Sequence, residues 1–453
     1  MKLEKRLTLF CAVSGIVIPA SAQEVLNVII ILTDDMGIGD IGCYGGDFAP
    51  TPNIDRLARE GTRYTQYYSA SPISSASRTG LFTGMEPAQW NITSFLQTRK
   101  GNQNCEQHDF LNPEAPTMAK IFKEKGYKTG HFGKWHMGGG RDVQNAPGIK
   151  LYGFDEYVST YESPDPDHRI TSTDWIWANS DEIKRPDRTA YFVDKTLEFL
   201  SKNKGTPCFI NLWPDDVHTP WIPHDERLRE YPATPEELSR FRAVLDDYDR
   251  EIGRLMQGLK DMGIDNNTIV IFTSDNGPDP LQQDGRAANF RGIKMSLYEG
   301  GIRMPFIIRW PDKIPAGRVE NSVVTAVDIM PTLAELIRQD LPQNFRFSGE
   351  SRLQVFLGSP SEKSKPTFWE YGRNNTSFYY PPRAIDKSPN CAIREGKWKL
   401  LANADGSDVQ LYDIENDPTE SKNMAEEAPA LMQSLKEKLM DWRNSLPKYI
   451  LQP

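Results

Sequence analysis

Carboxylates and cationic side chains gather at a few points in this chain, each close behind an apolar run. Asp34-Asp35 follows Val25 to Leu32. Two adjacent carboxylates repel each other unless a cation sits between them; a solvated turn or a helix cap is the other reading. Asp275-Asn276-Gly277 follows Thr268 to Thr273. Its carboxylate and amide oxygens are hard donors that suit Ca²⁺ or Mg²⁺ rather than zinc, though the tripeptide is also an ordinary turn. Two such clusters, each closing a buried run, favour one shared metal site. Gly133-Lys134-Trp135-His136 sets a Lys and a His two apart, a pair able to hold an anion and move a proton. His218-Thr219-Pro220 comes shortly after Cys208 to Trp213. His224 has no such position and reads as surface. Lys294, within Arg291-Gly292-Ile293-Lys294, is a further cation, although a lone Lys usually belongs to the surface.

Between these clusters, Ser74-Ser75-Ala76-Ser77-Arg78-Thr79-Gly80-Leu81-Phe82-Thr83-Gly84 runs from small polar residues into a helix start. A capped helix N-terminus of this kind favours an anion through its free N–H groups. No Gly-x-Ser-x-Gly elbow is present, which argues against ordinary serine-hydrolase chemistry.

Ser74-x-Ala76-Ser77-Arg78, continuing to Leu81-x-Thr83-Gly84, resembles the signature of the formylglycine-dependent (type I) sulfatases of the alkaline phosphatase superfamily. Gly126-Tyr127-Lys128-Thr129-Gly130-His131-Phe132-Gly133-Lys134-Trp135-His136 is similar to their second signature. Asp34-Asp35, Thr51-Pro52-Asn53-Ile54-Asp55, His218-x-Pro220, Asp275-Asn276-Gly277, Arg291-Gly292-x-Lys294 and Glu299-Gly300-Gly301 follow in the family's order. Leu411-Tyr412-Asp413-Ile414-Glu415-Asn416-Asp417-Pro418, then Glu420 and Asn423, resembles the usual end of these enzymes. Ser74 stands where many members carry Cys, and Ala76 where Pro is common. That resembles the serine-type branch found among bacterial carbohydrate sulfatases, whose maturase is oxygen-independent.

The resemblance implies a formylglycine made from Ser74 by such a maturase. Hydrated, it is a diol: one hydroxyl attacks the sulfur, and deprotonation of the second re-forms C=O and expels sulfate. It implies one Ca²⁺ held by Asp34, Asp35, Asp275 and Asn276 together with an oxygen of residue 74, lowering the pKa of the nucleophile. Arg78 is then expected to stabilise the diol and the metal carboxylates. Lys134, His218 and Lys294 are expected to neutralise sulfate oxygens. His136 is the expected base for the second hydroxyl, and His218 or Lys294 the acid for the leaving alcohol.

The expected substrate is a sulfated glycan or its fragments. Residues 151 to 188 form a loop region with Asp165, Asp167, His168, Arg169, Trp175 and Trp177, a mixture that suits a sugar ring. Tyr379-Tyr380-Pro381-Pro382-Arg383 is placed to close the other side. The rival readings are a phosphate- or phosphonate-ester hydrolase of the same superfamily, and a non-catalytic glycan-binding protein.

The elements that must position these residues are legible in the apolar pattern. Val25 to Leu32, Tyr127 to Phe132, Cys208 to Trp213, Thr268 to Thr273 and Pro305 to Trp310 read as strands, several buried on both faces. Helical patterns separate them at Thr117 to Lys125, Tyr191 to Leu200 and Glu236 to Leu259, the last carrying apolar residues at i, i+3, i+4 spacing. The expected fold is α/β, a large mixed, mainly parallel sheet sandwiched by helices. Ligands collect beyond the carboxyl ends of such strands, where these polar residues lie. After about residue 345 the texture changes. Cys391 to Arg394, Trp398 to Leu401 and Val409 to Tyr412 read as a short antiparallel sheet, closed by a helix with Leu431, Leu435, Leu439 and Trp442 on one face. The expected units are a signal peptide (1–22), a catalytic domain (23–345) and a C-terminal α+β subdomain (346–453).

The chain has 453 residues and a net charge of −9, with no basic stripe. This argues against sequence-independent nucleic-acid binding, and an anionic substrate must be drawn by a local site. Lys2, Lys5 and Arg6 precede the apolar run Leu7 to Ile18, and Ala20-Ser21-Ala22 is a cleavage pattern. The expectation is an exported protein, periplasmic or secreted, without stable membrane insertion. Cys43, Cys105, Cys208 and Cys391 make neither a disulfide framework nor a zinc pattern, and read mostly as buried thiols.

Overall fold

The computed structural model describes residues 25–173, 177–281, 284–373 and 379–450. The signal-peptide assignment and Trp175 lie outside the described residues. Nine strands form the main sheet: β1 (Asn27–Thr33), β2 (Thr62–Tyr68), β3 (Lys128–Gly133), β4 (Glu156–Ser159), β5 (Cys208–Trp213), β6 (Thr268–Ser274), β7 (Arg303–Arg309), β8 (Arg318–Glu320) and β9 (Val324–Thr325). Their order is β4-β3-β5-β1-β6-β7-β2-β8, with β9 also paired to β2. Only β7 runs antiparallel to its neighbours; every other pairing is parallel. This is the expected mixed, mainly parallel sheet.

Burial explains why the central strands read as unbroken apolar runs. Val28, Ile30 and Leu32 of β1 point into one core, with Ile269 and Ile271 of β6. Ile29 and Ile31 point into the other, with Val270 and Phe272. The first core is covered by the helices Ser74–Thr83, Met118–Glu124 and Ala326–Leu336. The second is covered by Pro52–Glu60, Arg188–Lys202 and Glu236–Asp261. Both faces are thus removed from water, so no polar alternation is needed.

A second sheet follows: β10 (Thr367–Glu370), β11 (Cys391–Glu395), β12 (Trp398–Ala402) and β13 (Gln410–Asp413), antiparallel and in that order. Cys391, Ile393, Leu400 and Leu411 meet Leu435 and Leu439 of the Pro429–Ser445 helix. The opposite face contributes Trp369, Ala392 and Leu401 to the main core. Cys43, Cys105, Cys208 and Cys391 form no disulfide. Among the described residues no helix is long and apolar enough to cross a membrane.

Candidate functional site

Strand register brings the separated motifs together. Thr33 of β1 pairs with Ser274 of β6, so Asp34-Asp35 and Asp275-Asn276 leave the sheet side by side. The Asp35 N–H donates to Asp275 Oδ1 at 3.2 Å, and the Asp275 N–H to the Thr33 carbonyl at 3.1 Å. Gly133 of β3 pairs with Trp213 of β5, which delivers Lys134-Trp135-His136 and the Asp215–His218 turn to the same edge. Ser74 begins the Ser74–Thr83 helix, and Arg78 lies one turn on. The residue before that helix, Ile73, supplies no side-chain cap, so the start is uncapped rather than capped as the sequence suggests.

Ser74 Oγ sits 3.2 Å from Asp34 Oδ1 and 3.2 Å from Asn276 Oδ1. Asn276 Nδ2 donates to Asp35 Oδ1 at 2.7 Å. Arg78 is fully buried; its Nη2 lies 2.9 Å from Asp275 Oδ2 and 3.5 Å from Asp34 Oδ1. Lys134 Nζ donates to Asp34 Oδ2 at 2.7 Å, and Lys294 Nζ to Asp35 Oδ2 at 2.7 Å. His218 Nδ1 lies 2.5 Å from the Thr219 carbonyl. Its Nε2 is left facing Lys294 Nζ at 3.3 Å and Asp35 Oδ2 at 3.4 Å. His136 lines the same cavity, of about 290 Å³, with Asp34, Ser74, Lys134, His218 and Lys294.

The electrostatics follow from burial. Desolvation pushes Asp34 up, but Lys134, His218, Arg78 and Lys294 outweigh it and hold the carboxyl well below its ordinary range. Desolvation also raises Asp35, and Lys294 and His218 bring it below normal. Asp275 goes the other way, to about 6: burial and the neighbouring Asp34 and Asp35 outweigh Arg78 and Lys134. Three buried carboxylates crowd together here, and one is not fully compensated. Added cationic charge would relieve it. The oxygens of Asp34, Asp35, Asp275, Asn276 and Ser74 form a hard donor set, so the residues fit a divalent ion such as Ca²⁺. Ligand atoms of Asp34, Asp35 and His218 also lie within 4.8 Å of one another, which adds His218 as a candidate ligand that the sequence did not suggest.

The expected substrate loop is only partly at the cavity. Asp165 is engaged by Tyr157, Asp167 by Arg169 and Tyr191, and His168 is exposed. None of these lines the cavity, nor does Trp177; Thr160, Tyr161, Glu162 and Arg185 do. Tyr379 lines its other side, as expected, while Tyr380 and Arg383 turn to Lys387 and Asp386. His224 pairs with Asp187 at the surface. Arg185 was not anticipated: it ties down the His218 turn, with Nη2 3.0 Å from the Asp215 carbonyl and 3.3 Å from that of His218. Its signal was a cation just upstream of a helix, which sequence alone does not distinguish from a surface residue.

Several remaining motif residues are structural. Asp55 accepts from Cys43 N at 2.7 Å. Arg291 reaches Tyr412 and the Glu420 carbonyl, joining the two sheets.

The cavity thus sets Lys134, Lys294 and His218 and a hydroxyl at a helix start over buried carboxylates at one edge of the sheet, an arrangement able to hold an anion. Residues 26–338 match the Sulfatase family and residues 293–445 the N-sulphoglucosamine sulphohydrolase C-terminal family. The chain belongs to the sulfatase family and is a sulfuric ester hydrolase. It is 30% identical to an N-acetylgalactosamine-6-O-sulfatase of Bacteroides thetaiotaomicron, over 91% of this chain and 92% of that one. It is 29% identical to the N-acetylgalactosamine-6-sulfatase of Canis lupus familiaris, over 81% and 72% respectively. Among solved structures, i-CgsB in complex with k-i-k-neocarrahexaose superposes with a TM-score of 0.77 at 27% identity, covering 94% of this chain and 95% of that one.

Proposed function

We propose that this protein hydrolyses sulfate esters on sulfated carbohydrates, with residue 74 as formylglycine and one Ca²⁺ held by Asp34, Asp35, Asp275 and Asn276 with residue 74. The observation that carries the reading is the position of Ser74 Oγ, 3.2 Å from both Asp34 and Asn276. A hydroxyl there touches one hard oxygen donor from each of the two strand-end clusters. The names of the relatives, acting on N-acetylgalactosamine sulfate or bound to a carrageenan-type oligosaccharide, support a sugar substrate.

When bound, Ca²⁺ supplies Lewis-acid polarisation and lowers the pKa of a ligated hydroxyl. Formylglycine hydrate supplies a nucleophilic hydroxyl and a second one whose deprotonation frees sulfate. The chain's own groups do the rest. Arg78 neutralises Asp275 and Asp34 and fixes them toward the ion. Lys134 and Lys294 hold the sulfate oxygens as charge builds. His218, steadied through the Thr219 carbonyl, gives a proton to the leaving alcohol, with Lys294 beside it. His136 would serve as the base that takes up a proton as sulfate is freed. The precursor carries a leader (1–22), a catalytic unit (23–345) and a C-terminal subdomain (346–453). It is exported, to the periplasm or as a secreted protein, and a serine-type maturase acts on Ser74.

The test is a panel of defined sulfated mono- and oligosaccharides, run beside aryl sulfate and aryl phosphate, with free sulfate and phosphate measured. Sulfate release from sugars is expected, with phosphate turnover far below it. Faster phosphate release would favour an ester hydrolase of the phosphate or phosphonate type. Binding without turnover by matured protein would favour a glycan-binding role.

A further inference from the structure

Glu162 belongs to none of the motifs, yet it lines the catalytic cavity three residues past β4, its side chain 12% exposed. Oε1 accepts from Arg141 Nη2 at 2.9 Å. Oε2 lies 3.1 Å from His136 Nδ1 and 3.9 Å from Lys134 Nζ. On the other side of the imidazole, Nε2 lies 3.2 Å from the Leu96 carbonyl oxygen. A carbonyl only accepts, so Nε2 carries the ring proton. Nδ1 is buried and makes no aligned hydrogen bond; Glu162 Oε2 sits beside it, off the bonding direction.

The neutral ring therefore holds its lone pair at Nδ1. Burial favours that neutral state, pushing the imidazole down to about 3 although Glu162 pulls the other way and Lys134 and Arg78 add to burial. Burial raises Glu162, but His136, Lys134 and Arg141 outweigh it and hold the carboxyl down at about 2. A fixed lone pair and a fixed anion stand side by side.

We propose that Glu162 is a positioning residue for sulfate-ester hydrolysis, steadying the charge His136 acquires when Nδ1 takes a proton from a hydroxyl of residue 74. This rests on the function proposed above. In the formylglycine form of residue 74 the proton would move from oxygen to Nδ1, the O–H electron pair would close a C=O bond, and sulfate would depart with the electrons of the C–O bond that breaks. His136 later returns the proton to water. An imidazolium forming at this depth is costly without a facing anion. Glu162 is that anion, Arg141 holds it, and the Leu96 carbonyl keeps the ring turned so that Nδ1 is the basic atom. The arrangement uses the logic by which an acidic partner orients and stabilises a catalytic His.

The experiment is Glu162→Gln in matured enzyme with an aryl sulfate. The substitution keeps the shape and removes the charge. Phenol release in the first turnover is expected at the wild-type rate, followed by a steady state lower on the order of tenfold or more. A burst appears, kcat and KM fall together, and kcat/KM stays near wild type. Glu162→Asp should recover part of kcat. Independently of turnover, ¹⁵N NMR should find His136 as the Nε2–H tautomer in both wild type and Glu162→Gln at neutral pH. A wild-type kcat in Glu162→Gln, a loss of kcat/KM as large as that of kcat, or an Nδ1–H tautomer in wild type overturns the proposal. If matured wild type releases no sulfate while the tautomer is as stated, the sulfatase mechanism has failed first, and this role of Glu162 falls with it.

Discussion

Ser74 and Arg78 share one helical turn but do different work, and substitutions should separate them. Ser74→Ala removes the hydroxyl between Asp34 and Asn276. Turnover should vanish while the unfolding midpoint stays close to wild type, as read by circular dichroism. Arg78→Ala leaves Asp275 buried with its main cation gone, and takes a further cation from Asp34, which keeps Lys134. Breaking a buried pair from one side costs about 3–5 kcal/mol, so denaturant titration should show that loss as well as lost activity. Asp34, Asp35, Lys134, His136, His218 and Asp275-Asn276 were legible because each follows an apolar run, whereas Ser74, Arg78 and Lys294 were legible only through their resemblance to the family's motifs. Glu162 and Arg185 were not. Asp165, Asp167 and His168 are the same kinds of residue in the same stretch, and nothing in composition says which of them faces inward. That choice is made by the short strand β4, whose four residues, Glu156–Ser159, carry too little apolar pattern to announce themselves.

Elements position the site through close backbone approaches that only certain residues permit. Gly133 ends β3 at φ +128°, and a Cβ there would lie 1.9 Å from the Trp213 carbonyl oxygen. That carbonyl accepts the Lys134 N–H at 2.7 Å. Gly133→Ala should therefore lower the melting temperature and displace Lys134 and His136 together, with kcat/KM falling even at temperatures where the variant is folded. The central strands were readable from sequence because double burial writes an apolar run. β2 was not: TRYTQYY carries its polar residues in adjacent pairs, Thr62-Arg63 and Thr65-Gln66, which breaks the alternation of a strand, and it pairs with β7 through a register shift between Tyr64 and Tyr67. β10 escaped as well, being four residues long with a half-buried Phe368.

The whole molecule is held together by buried charge as well as apolar area. Lys399, fully buried on β12, reaches Glu299 Oε1 at 2.9 Å and Glu420 Oε1 at 3.0 Å, linking the second sheet to the end of the main one. Burial, with Glu299 nearby, pushes Glu420 up to about 7 against the pull of Lys399. A carboxyl raised on folding contributes stability below its unfolded pKa and loses it as pH rises through the folded value. Stability should thus fall between about pH 5 and pH 8 through this group. Denaturant midpoints at those two pH values should show a flatter dependence in Glu420→Gln. The proposed Ca²⁺ would act on the same global balance. At a hundred times its Kd it should add about 2.7 kcal/mol, read as a rise in melting temperature that Asp34→Asn abolishes. The account as a whole turns on the chemical state of residue 74, and mass spectrometry of its peptide from protein made in the native host reads that state directly. A peptide about 2 Da lighter than the serine form is predicted, in proportion to specific activity. An unmodified serine throughout a preparation that releases sulfate at full rate would contradict it.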